Sequence, residues 1–397
     1  MKVLHLNPSL KPGGVNELAV DLARGLQAQG IDNTLMSPAC DLIGRLTAAH
    51  VDHMSCRAGG WYSRIAAAKR VRREISITKP DILQVYTPEA AFIAKLACRK
   101  IRAKHRPIVI GVITGFFSGR WECWAMRHCD AVVYVSKYLR ATLSERGIVP
   151  PEVRTWVIPY GVDERLCFPG YAPSANWMEQ WRQTQMPRGH AYTICVPAPI
   201  TPLHGLEDLA PILTTLLHHG LSPIAYIVGD SRRADPDYLE SLRTLFADAQ
   251  LDERIIWLGA RPDLRDILCA CDVTLYLSRK PESYNRPILE ALSLGRPVLA
   301  YDHGVMKEIL DSFLPEGRVE PGATKVIADN LLQWHTYRPS MPGEIPYPFR
   351  LKDTVQSFQA LHSELLSRRS SSAQDTEEHQ ARRSDANTRT SPAKARQ

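Results

Sequence analysis

Short apolar runs alternate with amphipathic stretches along the first half of the chain, and the same alternation returns in the second half. Compact apolar runs are typical of strands buried on both faces, whereas apolar residues three and four positions apart are typical of helices. The alternation predicts an α/β protein with parallel sheets. In the first half the predicted strands are residues 3–6, 82–86, 108–113 and 156–159, and the predicted helices are 15–29, 90–102 and 141–146. In the second half the predicted strands are 194–197, 224–228, 255–258, 273–277 and 298–301, and the predicted helices are 206–218, 238–249, 264–270 and 286–294.

Two doubly wound domains follow from these two series, and the length of 397 residues also favours two domains over one. Residues 168–190 contain Pro, Gly and Trp without a sustained period, so we interpret them as a linker. A last helix is predicted at 351–366. Beyond residue 368 the chain lacks large apolar side chains, so we expect disorder there. Because ligands of such sheets bind at the carboxyl ends of the strands, the cleft between the domains is the expected site.

The stretch PESYNRPILEALSLGRPVLA, residues 281–300, predicts a loop, a helix and a buried strand. Asn285 is a capping type of residue, and Pro287 suits a first helical turn. Glu282 therefore precedes the helix and Glu290 lies on it. A helix start leaves N–H groups unpaired and suits a phosphate, while carboxylates accept hydrogen bonds from sugar hydroxyls. The pattern indicates a cradle for a nucleotide sugar.

This stretch resembles the E-x7-E region of the retaining glycosyltransferases of family 4, which have the GT-B fold. Four further segments are similar to that family in the same order: residues 1–30, 80–92, 129–143 and 157–163. The resemblance implies two Rossmann-like domains facing across a cleft, and a final helix that crosses back to the first domain. The implied division is an acceptor domain (1–163), a linker (164–190), a nucleotide-sugar domain (191–345), a crossover helix (346–367) and a disordered tail (368–397).

The resemblance also implies roles for individual residues. Glu290 would bind the ribose hydroxyls of the nucleotide, and Glu282 would contact the transferred sugar. The donor would also be bound by the backbone of Ser283, Tyr284 and Asn285, and by the glycine turn of Gly13 and Gly14. Residues 260–263 would touch the base.

Three positions depart from the family pattern. Members usually carry an Arg and then a Lys before a Gly to neutralise the diphosphate, but aligned on Gly205 these positions are Pro199 and His204. A protonated His204 would replace the Lys, whereas Pro199 replaces nothing. Thr114 stands where a His usually bonds the donor sugar, so its hydroxyl is the expected substitute. Aromatic residues follow Thr114, and we expect them either to contact an acceptor sugar or a lipid, or to belong to the core: Phe116, Phe117, Trp121 and Trp124.

Positive charge is concentrated in residues 64–79 and 95–106, although the whole chain carries only +7. This distribution suits an anionic membrane surface or a phosphorylated acceptor, and a solvated helix face is the alternative. No RNA-binding signature or zinc-finger spacing accompanies it, so nucleic acid is not an expected partner.

The cysteine pattern predicts reduced thiols and no metal site, because the nine cysteines lack CxxC pairs and zinc spacing. The DxD string at 235–237 precedes a predicted helix, so we interpret it as a cap. A strand directly after Met1 leaves no room for a signal sequence, and no apolar run of about 18 residues occurs. We expect a cytoplasmic protein, peripheral at most to the inner face of the plasma membrane.

The resemblance implies a metal-independent transferase that moves a sugar from a nucleotide diphosphate donor to a glycan or glycolipid, with retention of configuration. Lipopolysaccharide or surface polysaccharide biosynthesis is the expected context, and no cofactor is expected besides the donor. The alternative is a catalytically degenerate GT-B protein that binds nucleotide or glycan and supports a partner enzyme. A sugar-nucleotide epimerase or a phosphorylase of the same fold ranks last.

Overall fold

The computed structural model describes residues 1–8, 14–39, 42–117, 119–185 and 191–389, which form two parallel α/β domains. The strands of the first domain are β1 (Lys2–Leu6), β2 (Asp32–Ser37), β3 (Asp52–Ser55), β4 (Ile82–Val85), β5 (Ile108–Ile113), β6 (Ala131–Tyr134) and β7 (Arg154–Val157). Its helices are α1 (Gly14–Ala28), α2 (Ile43–Thr47), α3 (Trp61–Thr78), α4 (Pro88–Cys98), α5 (Arg120–Met126) and α6 (Lys137–Glu145). The sheet order is β3-β2-β1-β4-β5-β6-β7, with every pairing parallel.

The second domain repeats this plan after helix α7 (Ala175–Thr184). Its strands are β8 (Tyr192–Val196), β9 (Pro223–Ile227), β10 (Ile255–Trp257), β11 (Val273–Tyr276), β12 (Val298–Tyr301) and β13 (Arg318–Val319). Its helices are α8 (Leu209–His218), α9 (Pro236–Asp248), α10 (Leu264–Ala270), α11 (Arg286–Ser293), α12 (Val305–Phe313) and α13 (Thr324–Thr336), and α14 (Leu351–Arg389) ends the described chain. The parallel sheet order is β10-β9-β8-β11-β12-β13, which confirms the predicted pair of doubly wound domains.

The chain leaves the first core and later returns to it. Tyr160 belongs to the core of the first domain and Val162 to the core of the second. After Phe349, the last residue of the second core, the apolar face of α14 packs into the first core against α1. The predicted crossover helix is therefore confirmed, and its buried face consists of Leu351, Val355, Phe358, Leu361 and Leu365.

Gly161 lies where the outgoing and returning segments cross. Its N–H donates to the Thr354 hydroxyl at 2.9 Å, and the neighbouring Val162 N–H donates to the Phe349 carbonyl at 3.0 Å. A Cβ at residue 161 would collide with the backbone of Phe349 and Arg350. Only glycine allows the two segments this close approach.

Two histidines are buried where α14 covers the first sheet. His5 on β1 shares a hydrogen bond of 2.8 Å between its Nδ1 and the Tyr86 hydroxyl. His5 Nε2 and both ring nitrogens of His362 on α14 have no partner among the described residues. Both side chains are fully buried, so the fold holds three imidazole nitrogens away from water.

Two segments differ from expectation. The predicted linker contains α7, whose Trp181 is buried against Tyr226 of the second core, with 5.1 Å between ring centroids. The chain is also helical over residues 368–389, whereas the sequence pattern predicts disorder beyond residue 368. No Gly or Pro interrupts this segment, and Arg368 pairs with Glu364 at 2.7 Å one turn earlier, so α14 continues. Residues 186–190 and 390–397 lie outside the described chain.

The eight cysteines that the structure describes are free thiols, and seven of them are buried, including Cys269 and Cys271. Asp235 caps α9, since its carboxylate accepts from the N–H of Asp237 at 2.9 Å, which confirms the interpretation of the DxD string. Within the described ranges, no helix combines the length and apolarity needed to cross a bilayer.

Candidate active site

Helix α11 begins at the cleft because its first residues are suited to start a helix. The Asn285 side chain accepts from the Ile288 N–H at 3.0 Å and so caps the helix. The same side chain donates from Nδ2 to Glu282 Oε2 at 2.8 Å. Gly304 adjoins this loop, and the Val305 N–H donates to the Glu282 carbonyl at 2.9 Å. The cap of α11 and the position of Glu282 are thereby fixed together.

The unpaired amides of this segment lie in the loop before α11 and at the first residue of the helix. Pro287 has no N–H, and the Ile288 N–H is already satisfied by the cap. In contrast, the N–H groups of residues 283–286 donate to no acceptor in the part of the chain that the structure describes. Four successive amides of the loop and the first helical residue are the donors open to a ligand.

Glu282 is surrounded by hydrogen-bond donors. Its Oε1 lies 3.7 Å from His204 Nε2, and Asn285 bonds the other oxygen. Burial acts to raise the pKa of Glu282, but the neighbouring polar groups of His204, Tyr276 and Asn285 outweigh it and bring the pKa below its ordinary value. Burial also raises the pKa of Tyr276, and the Glu282 charge adds to that shift. Glu282 is therefore a carboxylate, and Tyr276 remains a donor beside it.

His204 is fixed on both sides of its ring. Thr201 Oγ1 lies 2.7 Å from Nδ1, while Nε2 faces Glu282. The short turn holding His204 ends at Gly205, whose φ of 60° belongs to the left-handed region. Pro199, at the position of the family's Arg, instead lines a cavity of about 440 Å³. Of the two family cation positions, one carries an imidazole and the other an apolar ring.

Contacts between the two domains lie beside the loop that precedes α11. The Ser283 hydroxyl donates to the Thr114 carbonyl at 2.8 Å, and both residues are buried. Tyr284 packs against both cores, so its side chain joins the domains. Glu308 on α12 accepts from the N–H of Lys137, at 3.1 Å, at the start of α6. Gly14 is the first residue of α1, whereas Gly13 lies outside the described residues.

Glu290 belongs to a charged network that also spans the domains. Its Oε1 accepts from Arg286 Nε at 2.7 Å, and Arg286 contacts Asp21 at 3.0 Å and Glu17 at 2.9 Å on α1. Arg45 also binds both acidic residues of α1. The Glu290 side chain is only 15% exposed and lines a cavity of about 500 Å³. It faces a crevice, with no protein partner among the described residues for its Oε2.

The loop of residues 260–263 is held by the segment expected to be a linker. Trp177 on α7 donates from Nε1 to Asp263 at 2.8 Å, and Arg261 binds the same carboxylate at 2.6 and 2.8 Å. These hydrogen bonds, with that of Arg261 the strongest, lower the pKa of Asp263 to about 2. Arg261 lines both the 440 and the 500 Å³ cavities. The predicted base-contacting loop therefore lies beside Glu290.

Sequence reasoning missed Tyr276, Arg286 and Trp177. Tyr276 carries a usable signal, because it is the last residue of a strand at the carboxyl edge of the sheet. Arg286 lies within the motif itself, yet its partners Glu17 and Asp21 are on the other domain and no spacing indicates them. Trp177 lies in the segment that has no clear period.

Two family models match this chain, one for each domain. The family described as Glycosyltransferase Family 4 matches residues 12–166, and the one described as Glycosyl transferases group 1 matches residues 196–336. A curated relative, N-acetyl-alpha-D-glucosaminyl L-malate synthase of Bacillus anthracis, is 25% identical over 147 residues. That match spans 35% of this chain and 37% of the relative.

Solved glycosyltransferases share the fold over almost the whole chain. A glycosyltransferase of Rickettsia africae superposes with a TM-score of 0.78 at 19% identity, over 92% of this chain and 98% of its own. Anabaena HepE in complex with UDP and glucose gives 0.74 at 20% identity, over 92% and 100%. With both domains matched by family models in order along one GT-B fold, the chain belongs to the family 4, group 1 glycosyltransferases.

Proposed function

We propose that the protein transfers a sugar, with retention of anomeric configuration, from a nucleotide diphosphate donor to a hydroxyl of a glycan or glycolipid. The observation that carries this proposal is the run of open amides at residues 283–286, flanked by the carboxylates of Glu282 and Glu290. Amides suit the diphosphate, and carboxylates suit the hydroxyls of the sugar and the ribose.

Each group has one task in the proposed reaction. Glu290 Oε2 accepts from the ribose hydroxyls, and the loop 260–263 receives the base through its backbone. The ionised Glu282 accepts hydroxyl hydrogen bonds of the transferred sugar and so orients it. The Thr114 hydroxyl contacts the same sugar from the first domain, and Gly13 and Gly14 close the donor phosphate side.

The bond between the anomeric carbon and the diphosphate oxygen breaks as the acceptor hydroxyl attacks from the same face, and the departing phosphate takes the hydroxyl proton. The open amides and His204 stabilise the charge that develops on the diphosphate. Each such donor contributes about 3 to 4 kcal/mol to the transition state. In its cationic form, His204 would attract the diphosphate of the bound donor.

No divalent cation takes part in this scheme, because amides and His204 neutralise the leaving group. Chelation with EDTA is expected to leave turnover unchanged. We place the reaction in lipopolysaccharide or surface polysaccharide biosynthesis on the cytoplasmic side. The acceptor would approach from the first domain.

A donor screen tests the proposal. Thermal shift is measured with uridine, guanosine and adenosine diphosphate sugars, and release of the nucleoside diphosphate is then followed for each donor that binds. Glu290→Ala is expected to abolish the shift, since a carboxylate binding both ribose hydroxyls is lost. Glu240→Ala, an exposed change on α9, is the matched control. Full donor binding by Glu290→Ala would remove that residue from the nucleotide site.

A catalytically degenerate protein that supports a partner enzyme is the second candidate. Pro199 favours it, because an apolar ring at the first cation position leaves the diphosphate with less countercharge. Donor binding without release of nucleoside diphosphate, in the presence of a glycan extract that contains acceptors, would select this candidate over the transferase.

A further inference from the structure

Four exposed aromatic side chains lie together on the first domain, and we call them the aromatic rim. Trp61 and Tyr62 at the start of α3 are 58% and 87% exposed, and Trp121 and Trp124 on α5 are each 40% exposed. The three tryptophan rings surround Phe92 of α4, with centroid distances of 5.8, 6.0 and 5.9 Å. Core packing accounts for Phe92, which is buried, but not for the rings around it.

The aromatic rim lies next to the cleft. Helices α3, α4 and α5 each follow a strand of the first sheet, so their N-terminal ends meet at its carboxyl edge. Thr114, which contacts Ser283 of the second domain, directly follows β5, the strand that precedes α5. The rim therefore borders the side of the cleft formed by the acceptor domain.

Positive charge surrounds the aromatic rim. Residues 61–106 contain 12 basic and 3 acidic side chains, a net charge of 12 − 3 = +9, whereas the whole chain carries +7. Lys69, Arg70 and Arg73 are exposed along the face of α3 that also carries Tyr62, and we call these three the basic stripe. The acidic Glu74 beside them is buried.

Basic groups also touch the rings themselves. The Arg64 guanidinium lies 5.1 Å from the centre of the Trp121 ring, and Lys95 Nζ lies 3.9 Å from that of Trp124. Indole and phenol rings favour the boundary between water and hydrocarbon, and Lys and Arg favour anionic headgroups. A neutral saccharide would use the rings but gain nothing from a net charge of this size.

We propose that the aromatic rim and the basic stripe dock the protein on a bilayer containing anionic lipid, with the rings inserted at the headgroup level. This arrangement would present the mouth of the cleft to an acceptor carried by a lipid. The nature of the acceptor rests on the proposed function, whereas the docking does not.

Vesicle sedimentation tests the docking, with phosphatidylcholine vesicles containing phosphatidylglycerol compared with phosphatidylcholine alone. The protein is expected to bind only the anionic vesicles, and salt is expected to release it. Neutralising Lys69 and Arg73 to Gln should weaken partitioning about 25-fold, since each basic residue contributes about fivefold. The matched control neutralises Arg243 and Lys307, two exposed basic residues of the second domain.

Tyr62→Ser tests the contribution of the aromatic rim to vesicle binding separately from that of the basic stripe. It is expected to weaken vesicle binding about tenfold, whereas Tyr337→Ser, at a comparably exposed tyrosine of the second domain, is expected to have no effect. Donor thermal shifts are measured on each variant and should be unchanged, so a failed docking is distinguished from a failed donor site. Absent or charge-independent vesicle binding would overturn the proposal. Loss of soluble oligosaccharide binding in Tyr62→Ser with unaltered vesicle binding would also overturn it and assign the rim to a saccharide.

Discussion

Replacing His362 with Leu should remove part of the acid sensitivity of the first domain. His5 and His362 are fully buried, and three of their four ring nitrogens have no partner within the described residues. Burial lowers the pKa of His5 to about 3, with a further contribution from His362. Burial lowers the pKa of His362 to about 4. The folded protein therefore keeps both rings neutral at pH values where the unfolded chain binds protons.

The sign and size of the effect follow from proton linkage. Stability is full above the unfolded pKa of about 6.5 and falls as the pH drops toward the folded values, because only the unfolded state gains protons. At about pH 5 each histidine has lowered the free energy of unfolding by on the order of 2 kcal/mol. At pH 5 the free energy of unfolding of His362→Leu should exceed that of the wild type by that amount. At neutral pH its stability should be equal or higher, since two unpartnered buried nitrogens are removed.

Native-state hydrogen exchange read by mass spectrometry on peptides from β1 and β4 measures the opening free energy of this domain alone. Wild type, His362→Leu and His105→Leu, an exposed histidine change in the same domain, are compared between pH 7.5 and 5. All three proteins share the same carboxylates, so the contribution of these groups to the pH dependence cancels in the difference between variants. If His362→Leu keeps the wild-type slope with pH, then the buried imidazole is not a source of acid sensitivity and the reasoning is refuted.

Two further changes probe the crossing and the leaving-group site. Gly161→Ala should destabilise the protein by about 1 to 3 kcal/mol, because its Cβ would meet the Arg350 backbone. Thermal denaturation compares this variant with Gly60→Ala, where the space around the new Cβ is open. Equal melting temperatures of the two variants would contradict the prediction. His204→Lys should keep or raise kcat, by up to about tenfold, because an ammonium group at this position would place a positive charge beside the leaving diphosphate. A large loss in nucleoside diphosphate release would show that Glu282 requires imidazole as its neighbour.

The sequence pattern predicts strands with continuous apolar runs well, and elements of mixed composition poorly. Strands β4 and β5 are buried at every position, so their apolar runs stand out. Strand β3 lies at the sheet edge with two of its residues exposed, and α3 carries a basic outer face, so neither has a clear pattern. Helix α7 was missed because its two stacked tryptophans occur in a segment of mixed composition.

Some features of the candidate site can likewise be predicted from the sequence, and others cannot. Glu282, Asn285 and Glu290 lie in one continuous segment, and their spacing relative to a helix start is visible in the sequence. The contacts from Ser283 to Thr114 and from Arg286 to Asp21 join residues that are far apart in the chain. They depend on how two domains dock, and local periodicity contains no information about docking.

Because α14 fills the first core, the domain that leaves the ribosome first completes its folding last. Residues 1–160 emerge before α14, whose Val355, Phe358 and Leu361 pack into the first core and are synthesised after the whole second domain. An isolated N-terminal fragment would expose the apolar surface that these residues cover and invite aggregation. The first domain and α14 thus belong to a single folding unit, although the whole second domain separates them in the sequence.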